Sequence, residues 1–329
     1  MVKFSEFMND WLYAKDGYYA NFKAIGKEGD FYTAVSVSKF FGGAIAKYII
    51  NLIDEGKLSK NSNIFEIGAH KGYLLADIIE FIYTLKPELL NSLSFNIIEP
   101  FENLQKVQRD YFKASFGNAI NLNHFKSLKE VKKKEAFVVA NEIFDAFGCE
   151  LVFKGKMAYV DDFNIVWKEM DSYTKNISLK YNQIKGEVAR GYEDFAKDLY
   201  SAFEKCYFLT FDYGDLDIRE DFSIRVYKGH NVYPLFDEEL NLKDVFKKSD
   251  ITYDVNFSHL IDAFSEAGFE KEFYKTQLVT LIDFGIMKLL EIVKEKKGFN
   301  AYLREANKVK TLIHPTMMGE RFKAVCFVK

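Results

Sequence analysis

The pattern of apolar and polar residues changes near residue 63, where a short apolar run precedes a turn and then an apolar stripe. Residues Asn63–Ile67 are mostly apolar, and Glu66 interrupts the run, so they predict a buried strand. Gly68 and Gly72 follow, and Tyr73–Leu85 carries apolar residues at helical spacing. A strand, a glycine turn and a helix in this order are typical of the ligand-binding end of a doubly wound sheet.

A second short strand is predicted at residues 95–100, and it ends on an acid. Glu99 lies 27 residues after Gly72, with room between them for one helix and a loop. A carboxylate at the tip of this strand can accept hydrogen bonds from both hydroxyls of a ribose. The spacing therefore predicts a strand–helix–strand unit.

Two ligand classes fit the glycine turn, a dinucleotide or S-adenosylmethionine. The dinucleotide fingerprint requires Gly-x-Gly-x-x-Gly, which lets bare backbone approach a pyrophosphate. Here the turn has two glycines four residues apart, Gly68 and Gly72, and Glu66 precedes them. Acid-x-Gly-x-x-x-Gly is the looser pattern of S-adenosylmethionine enzymes. A structural turn without a ligand also fits this motif alone.

A third group of polar residues follows the apolar run at 136–140, which predicts another buried strand. Asn141, Glu142 and Asp145 come directly after it. Ligands of open parallel sheets bind outside the carboxyl ends of the strands. We therefore expect these residues at the same edge as Gly68 and Glu99, as functional groups rather than as a helix cap made by Asn141.

The remaining pattern predicts helices and strands on both sides of this region. Asp30 and Thr33 lie in a predicted loop before the helix at about 36–54. They could cap or shape this loop, or they could form a lid over a ligand. Predicted helices cover about 3–13, 36–54, 101–113, 192–205 and 257–267. Further strands are predicted near 118–122, 150–153, 157–167, 206–214, 223–227, 272–276 and 321–327.

Composition narrows the function classes. The chain has 329 residues, 48% of which are hydrophobic, and a net charge of −3. A protein that binds nucleic acid usually carries a large positive charge, so the composition does not indicate this function. Cys149, Cys206 and Cys326 lie far apart, which argues against a disulfide framework and a zinc site and suits a reducing cytoplasm. We see neither a secretory signal nor an apolar run long enough to span a membrane.

Several motifs together resemble the MidA-type S-adenosylmethionine-dependent methyltransferases, the bacterial relatives of the mitochondrial complex I assembly-factor arginine methyltransferase. The matching pieces follow the order of the family and cover nearly the whole chain. They are residues 17–19, 29–33, 41–42, 66–68, 98–99, 140–146, 212–214, 227–230 and 318–323. The Asn-Glu-x-x-Asp-Ala piece at 141–146 and the Met-Gly-Glu-Arg-Phe-Lys piece at 318–323 are the most specific.

The resemblance implies a Rossmann-like class I methyltransferase of the α/β class, with a mainly parallel central sheet and an α+β accessory region. We expect an N-terminal helical segment and cofactor lid at 1–60, a cofactor-binding core at 61–150, and accessory elements with closing strands at 151–329. The implied cofactor is S-adenosylmethionine, with no metal. The residues expected to bind it are Glu66, Gly68, Ala69, Gly72, Glu99, Asp30 and Thr33.

The substrate class of the family implies an arginine of a protein, a subunit of a respiratory NADH dehydrogenase or a homologue of one. A carboxylate can hold a guanidinium through paired charge-assisted hydrogen bonds. The resemblance assigns this role to Glu142, with Asp145 as the second acid and proton acceptor and Asn141 orienting the pair. We expect a cytoplasmic monomer or homodimer with a protein substrate.

One departure from the family bears on catalysis. His70 stands where the family usually has a glycine, so its side chain could crowd the cofactor or could point away. A non-catalytic assembly chaperone that retains the fold is therefore an alternative, as is a small-molecule methyltransferase. His230 and Arg321 lie in family motifs without a role that the sequence defines.

Overall fold

A computed structural model describes residues 1–20, 33–229 and 231–329 of the chain. The chain forms two compact units, each built from separate segments. The core unit comprises residues 33–142, 197–212 and 268–329, and the accessory unit comprises residues 1–20, 143–196 and 213–267. Each unit is described below by itself.

The elements are numbered in chain order. The α-helices are α1 Phe4–Tyr13, α2 Ala34–Val37, α3 Phe40–Asp54, α4 Tyr73–Leu85, α5 Glu102–Phe116, α6 Ser172–Lys180, α7 Tyr192–Ala202, α8 Leu242–Val245, α9 Phe257–Ala267, α10 Gln277–Asp283, α11 Ile286–Lys297 and α12 Phe299–Ile313. The strands are β1 Val2–Lys3, β2 Asn63–Ile67, β3 Ser94–Ile98, β4 Leu122–Phe125, β5 Lys133–Asn141, β6 Cys149–Phe153, β7 Lys156–Asp161, β8 Asn164–Glu169, β9 Lys185–Ala189, β10 Phe203–Asp215, β11 Arg225–Lys228, β12 Asn231–Pro234, β13 Asp250–Thr252, β14 Val255–Asn256, β15 Glu270–Thr276 and β16 Phe322–Val328.

The core unit is built on a mainly parallel sheet with the strand order β15-β16-β10-β5-β2-β3-β4. Within the run β10-β5-β2-β3-β4 each strand is parallel to the next, whereas β15 is antiparallel to β16. Residues 64–65 of β2 and 136–140 of β5 are apolar and fully buried, because the middle of the sheet is covered on both faces. This confirms the predicted α/β fold with a mainly parallel central sheet.

The register of the sheet aligns the ends of the three strands that carry the candidate residues. Ile67 at the end of β2 lies opposite Ile98 of β3 and Ala140 of β5. The next residues along the chain are Gly68, Glu99 and Asn141. Because neighbouring strands are about 4.8 Å apart, these three residues leave the sheet from one edge.

The accessory unit contains the other two sheets. Strands β1, β7, β6 and β9 form one of them in that order, with β8 paired to β7, and β12, β11 and β13 form the other. Their pairs are antiparallel, as the alternation near residues 150–167 predicts. The α+β accessory region is therefore real, although α6 and β9 within it were not predicted.

Three predictions of local structure need correction. The predicted helix at 36–54 is two helices, since the backbone of Ser38 is extended between α2 and α3. The third strand lies at Leu122–Phe125 rather than 118–122, because its register is set by pairing with β3 rather than by its own pattern. The pattern also left α10, α11 and α12 unassigned.

The predicted division of the chain into segments 1–60, 61–150 and 151–329 differs from the two compact units of the structure. Instead of three consecutive segments, the chain passes between the units several times. The physical reason is long-range strand pairing: β10 pairs with β5, and β16 lies between β10 and β15. The core sheet therefore takes in strands from both halves of the sequence.

Helices α3 and α4 pack closely at Gly42, one of the residues in the family motifs. A Cβ atom at Gly42 would lie 2.6 Å from the Asp77 Cβ and 3.3 Å from the Ile78 backbone nitrogen. Since overpacking of this kind typically costs about 1–3 kcal/mol, we expect Gly42→Ala to lower the free energy of unfolding by that amount. Denaturant unfolding measures the change. Gly56→Ala is a comparison variant, because a Cβ atom at Gly56 would have no atom within 4 Å; its φ of 71° means that this change measures backbone strain without a clash. If Gly42→Ala left the free energy of unfolding unchanged, the tight contact between α3 and α4 would be contradicted.

The described ranges lack two kinds of structural feature. Residues 1–20, 33–229 and 231–329 contain no helix that is long and apolar enough to cross a membrane. Within the same ranges, no group of three or more histidine, cysteine, aspartate or glutamate side chains could hold a metal ion.

Candidate active site

The turn between β2 and α4 depends on left-handed backbone conformations. Gly68, His70 and Gly72 have φ angles of 72°, 47° and 82°. A Cβ atom at Gly72 would lie 2.9 Å from the ring of Phe112, so a larger residue would also clash. His70 takes a conformation that glycine adopts at little cost and other residues rarely adopt. The turn thus keeps the shape that a glycine at this position would favour.

Glu66 connects the strand to the helix that follows the turn. Its carboxylate Oε2 accepts a hydrogen bond from the Leu75 backbone N–H at 3.0 Å, which satisfies one donor of the first turn of α4. The cap position itself is Gly72, which has no side chain to do this. Burial raises the pKa of Glu66 to about 8. This geometry gives Glu66 a role in shaping the turn; its predicted contact with a cofactor stays a prediction.

Glu99 follows the end of β3 and is held in place by its neighbours. The Oε1 atom accepts a hydrogen bond from the Phe101 backbone N–H at 3.0 Å, and Oε2 accepts one from Gln108 Nε2 at 3.3 Å. The side chain is 4% exposed, and burial raises its pKa to about 7. Glu99 is therefore a fixed, largely desolvated carboxyl group at the ligand-binding edge of the sheet.

Two residues that the sequence did not single out as site residues, Gln108 and His124, connect Glu99 to the glycine turn. His124 Nε2 lies 2.8 Å from Gln108 Oε1, while Gln108 Nε2 donates to the His70 carbonyl oxygen at 2.8 Å and to Glu99. Burial and the nearby Arg109 lower the pKa of His124 to about 4, so its ring is neutral at pH 7. A neutral ring that donates from Nε2 fixes the Gln108 amide with its nitrogen toward Glu99.

Removing the Gln108 amide should weaken cofactor binding. We expect Gln108→Leu to lower the affinity for S-adenosylhomocysteine about tenfold, because one net hydrogen bond to a charged group contributes about 1.5–3 kcal/mol. Isothermal titration calorimetry measures the dissociation constant. Gln105→Leu is the matched control, since Gln105 donates to the Glu99 backbone carbonyl and not to its carboxylate. Equal losses in both variants would contradict this role for Gln108.

Asn141 and Glu142 end the neighbouring strand β5 in an arrangement suited to a cation. Asn141 Nδ2 donates to Glu142 Oε1 at 2.8 Å, and the expected role of Asn141 in orienting the two acids stays a prediction. Glu142 has a φ of 54°, and its backbone N–H is bonded to the Phe211 carbonyl of β10 at 2.8 Å. A left-handed non-glycine residue at the end of a strand is typical of functional sites. The side chain is partly exposed at the edge that also carries Gly68.

The Asn141 side chain also carries a buried acceptor that has no hydrogen-bond partner among the described residues, its Oδ1 atom. Buried polar atoms are usually paired, and exceptions are explained by a missing ligand or by water. A ligand with donor groups would satisfy it.

Asp145 belongs to the accessory unit, where its carboxylate already has a partner. Tyr213 donates its hydroxyl to Asp145 Oδ2 and lies 2.5 Å from the Thr252 hydroxyl oxygen. Burial raises the pKa of Asp145 to about 6, although the Tyr213 hydroxyl and Arg225 favour its charged form. Two family motifs, at 140–146 and 212–214, thus meet in one hydrogen bond. The role of Asp145 as proton acceptor stays a prediction.

The other residues predicted to bind the cofactor lie in the loop before α2 and in the glycine turn. Thr33 caps α2, since its Oγ1 accepts a hydrogen bond from the Ser36 backbone N–H at 3.3 Å; this is the capping alternative of the two roles considered. Ala69 is buried, and its carbonyl accepts a hydrogen bond from the Gly72 N–H at 2.6 Å. Asp30 and His230 lie outside the described residues.

Comparison with known families identifies the class of protein. Residues 44–275 match the family described as "Putative S-adenosyl-L-methionine-dependent methyltransferase". This match covers more than half of the chain, and the chain belongs to that family. It is thus a methyltransferase of the S-adenosylmethionine-dependent class, as the motifs predicted.

Curated relatives are mitochondrial protein arginine methyltransferases named NDUFAF7. The Bos taurus protein is 29% identical over 148 residues, which is 39% of this chain and 33% of that protein. The Danio rerio protein is 22% identical over 343 residues, which is 93% of this chain and 78% of that protein. The first match thus spans only about a third of its relative.

Two solved structures from Burkholderia thailandensis share the fold. One, bound to S-adenosyl-homocysteine, has a TM-score of 0.84 and 24% identity and covers 100% of this chain and 88% of that one. The other, a native structure, has a TM-score of 0.82 and 22% identity and covers 100% of this chain and 87% of that one. At these identities the likeness shows the fold alone.

The residues of the core unit fit S-adenosylmethionine, the cofactor of the family. The ligand offers two ribose hydroxyls and an ammonium group as donors, and the edge of the sheet offers acceptors in Glu99 and in the unpaired Asn141 Oδ1. The turn from Gly68 to Gly72 brings bare backbone to the same edge. Glu99 would hold the ribose, and the turn would hold the methionine end.

Cofactor binding should depend on pH through Glu99. Its pKa is raised from 4.5 to about 7, so the ligand-free protein keeps this proton up to near neutral pH. Because ribose hydroxyls donate better to a carboxylate, binding should release the proton, and affinity should rise from about pH 6 to about pH 8 and then level off. Calorimetry with S-adenosylhomocysteine in buffers of different ionisation enthalpy measures the released proton. Glu99→Gln should lose this dependence, and an identical pH profile in that variant would contradict the assignment.

Proposed function

We propose that this protein methylates an arginine side chain of a protein substrate, and that the substrate is a subunit of a respiratory NADH dehydrogenase. The observation that carries this proposal is the Asn141–Glu142 pair: a partly exposed carboxylate, oriented by an amide, at the sheet edge that binds the cofactor. The names of the distant NDUFAF7 relatives support the arginine, and the family resemblance of the motifs supplies the class of complex.

In this proposal, Glu142 helps a guanidinium group to act as a nucleophile, which is the main chemical difficulty of the reaction. A guanidinium is a poor nucleophile because its charge is delocalised and it is protonated at any physiological pH. A carboxylate that holds it by paired hydrogen bonds presents one nitrogen and draws positive charge toward the other side of the group. The hydrogen bond from Asn141 Nδ2 keeps one Glu142 oxygen in place. When the nitrogen is methylated it loses one proton, which Glu142 would accept in this proposal.

The cofactor supplies a methyl carbon on a cationic sulfonium, whose displacement leaves a neutral thioether. The protein therefore needs mainly to align the nitrogen with this carbon and to exclude water. Glu99 and Glu142 follow two strands of one sheet and are suited to alignment, because each carboxylate has one oxygen held by a hydrogen bond. Glu99 Oε1 accepts it from the Phe101 N–H, and Glu142 Oε1 accepts it from Asn141 Nδ2.

The alternative of a non-catalytic chaperone was based on His70. The left-handed conformation of His70 preserves the turn, so this departure does not by itself argue against cofactor binding. A cytoplasmic location, also part of the proposal, is supported by Cys149, Cys206 and Cys326, which are all free and buried.

The decisive experiment compares the methylated proteome with and without this gene. Mass spectrometry should show an arginine that is methylated in the parent strain, unmethylated in the deletion strain, and methylated again after complementation. No lost methylarginine would overturn the arginine assignment. A lost methyl group on a small molecule instead would support the small-molecule alternative.

A further inference from the structure

The hairpin of α11 and α12, in the core unit, differs in charge from the rest of the chain. Residues 286–313 contain seven lysine and arginine residues and three glutamates, whereas the whole chain has a net charge of −3. Lys294, Lys296 and Lys297 form the last turn of α11, and Arg304 follows in the second turn of α12. All four side chains are exposed. The end of the hairpin is therefore a basic surface on an acidic protein.

The same end exposes large apolar side chains. Phe299 is 57% exposed and Leu303 is 43% exposed, and they lie one helical turn apart at the start of α12. Tyr302 beside them is partly buried against the core, and its ring stacks on Phe299 with centroids 5.9 Å apart. Lys294 Nζ is 6.0 Å from the centre of the Phe299 ring. The apolar pair thus stands among the lysines rather than on a separate face.

The exposed lysines and the exposed apolar side chains together indicate what kind of partner would cover this surface. Lysines attract an anionic surface, and exposed phenylalanine and leucine gain free energy only if the partner also offers an apolar layer. A second copy of the chain would set these lysines against each other. A nucleic acid would stack on Phe299 but would leave Leu303 without an apolar partner.

We propose that residues 294–304, the basic hairpin end, bind the surface of an anionic lipid bilayer. The lysines contact the headgroups, while Phe299 and Leu303 enter the boundary between headgroups and acyl chains. The long lysine stems allow their charged ends to remain at the headgroup level. This is peripheral binding and requires no membrane-spanning segment.

Vesicle sedimentation of the full chain tests this proposal directly. The protein should bind vesicles of mixed phosphatidylcholine and phosphatidylglycerol, bind pure phosphatidylcholine vesicles at least about tenfold more weakly, and dissociate at high salt. Equal binding to both kinds of vesicle, or no binding to either, would overturn the proposal.

Two variants separate the contributions of charge and apolar contact. We expect the triple variant Lys294→Gln, Lys296→Gln, Lys297→Gln and the double variant Phe299→Ala, Leu303→Ala each to lose at least about tenfold in vesicle affinity. Both should keep wild-type affinity for S-adenosylhomocysteine, which also shows that they are folded.

Matched controls remove equivalent groups elsewhere. The variant Lys154→Gln, Lys156→Gln, Lys168→Gln deletes three exposed charges of the accessory unit, and Leu179→Ala, Ile184→Ala deletes two exposed apolar side chains. Both controls should bind vesicles like the wild type. A loss in the controls as large as in the hairpin variants would assign the binding to general charge or hydrophobicity. Binding of single-stranded RNA in preference to vesicles would assign the surface to nucleic acid instead.

Discussion

Replacing Glu142 with glutamine is expected to lower methyl transfer about 100- to 10,000-fold without weakening cofactor binding. Glutamine has the same shape and can still accept the hydrogen bond from Asn141 Nδ2, so the end of β5 should keep its conformation. What is lost is the negative charge that would hold the guanidinium and accept its proton in the proposed mechanism. The backbone bond between Glu142 and Phe211 is also retained.

Complementation of the deletion strain measures this effect. Wild-type protein should restore the methylarginine signal, and the Glu142→Gln variant should not, while calorimetry shows the same affinity of both for S-adenosylhomocysteine. Glu102→Gln is the matched control, because Glu102 is an exposed acid of α5 paired with Lys126 at the surface. Full methylation by the Glu142→Gln variant would remove this residue from the mechanism.

Replacing Glu99 with alanine is expected to lower the affinity for S-adenosylhomocysteine about 10- to 100-fold. The carboxylate would accept hydrogen bonds from the ribose hydroxyls, and the loss of one net bond to a charged group costs about 1.5–3 kcal/mol, which corresponds to this range. Calorimetry measures the change. Because Glu99 also accepts the Phe101 N–H, thermal unfolding should be measured in parallel. Glu88→Ala, a change of an exposed acid, is the control. An affinity unchanged by Glu99→Ala would show that the ribose is held elsewhere.

The sequence was most informative where local pattern alone decides the structure. The strand Asn63–Ile67 and the helix Tyr73–Leu85 have the bounds that their apolar periodicity predicted. Glu99 and Asn141 could be placed at one edge because parallel strands align their carboxyl ends. These inferences needed no knowledge of which strands pair.

The rest depended on pairing between distant segments. His124 reaches Gln108 only because β4 adds to the sheet beside β3, and the weak pattern of β4 did not define its register. Gln108 did leave a signal: it is a polar residue within the apolar stripe of α5 and is fully buried. A buried polar side chain costs free energy unless it is hydrogen-bonded, so its presence in the stripe indicates a partner inside the protein. The partner of Asp145 was equally hidden, because Tyr213 is 68 residues away.

The position of β16 has a consequence for synthesis of the protein. This strand comes last in the chain and lies inside the core sheet, between β10 and β15. During translation, the edge of β10 that β16 will cover stays open until residues 322–328 have left the ribosome. An open strand edge invites pairing with other chains. We therefore expect a nascent chain stalled before residue 322 to be prone to aggregation, and we expect the central sheet to be complete only after residues 322–328 have been synthesised.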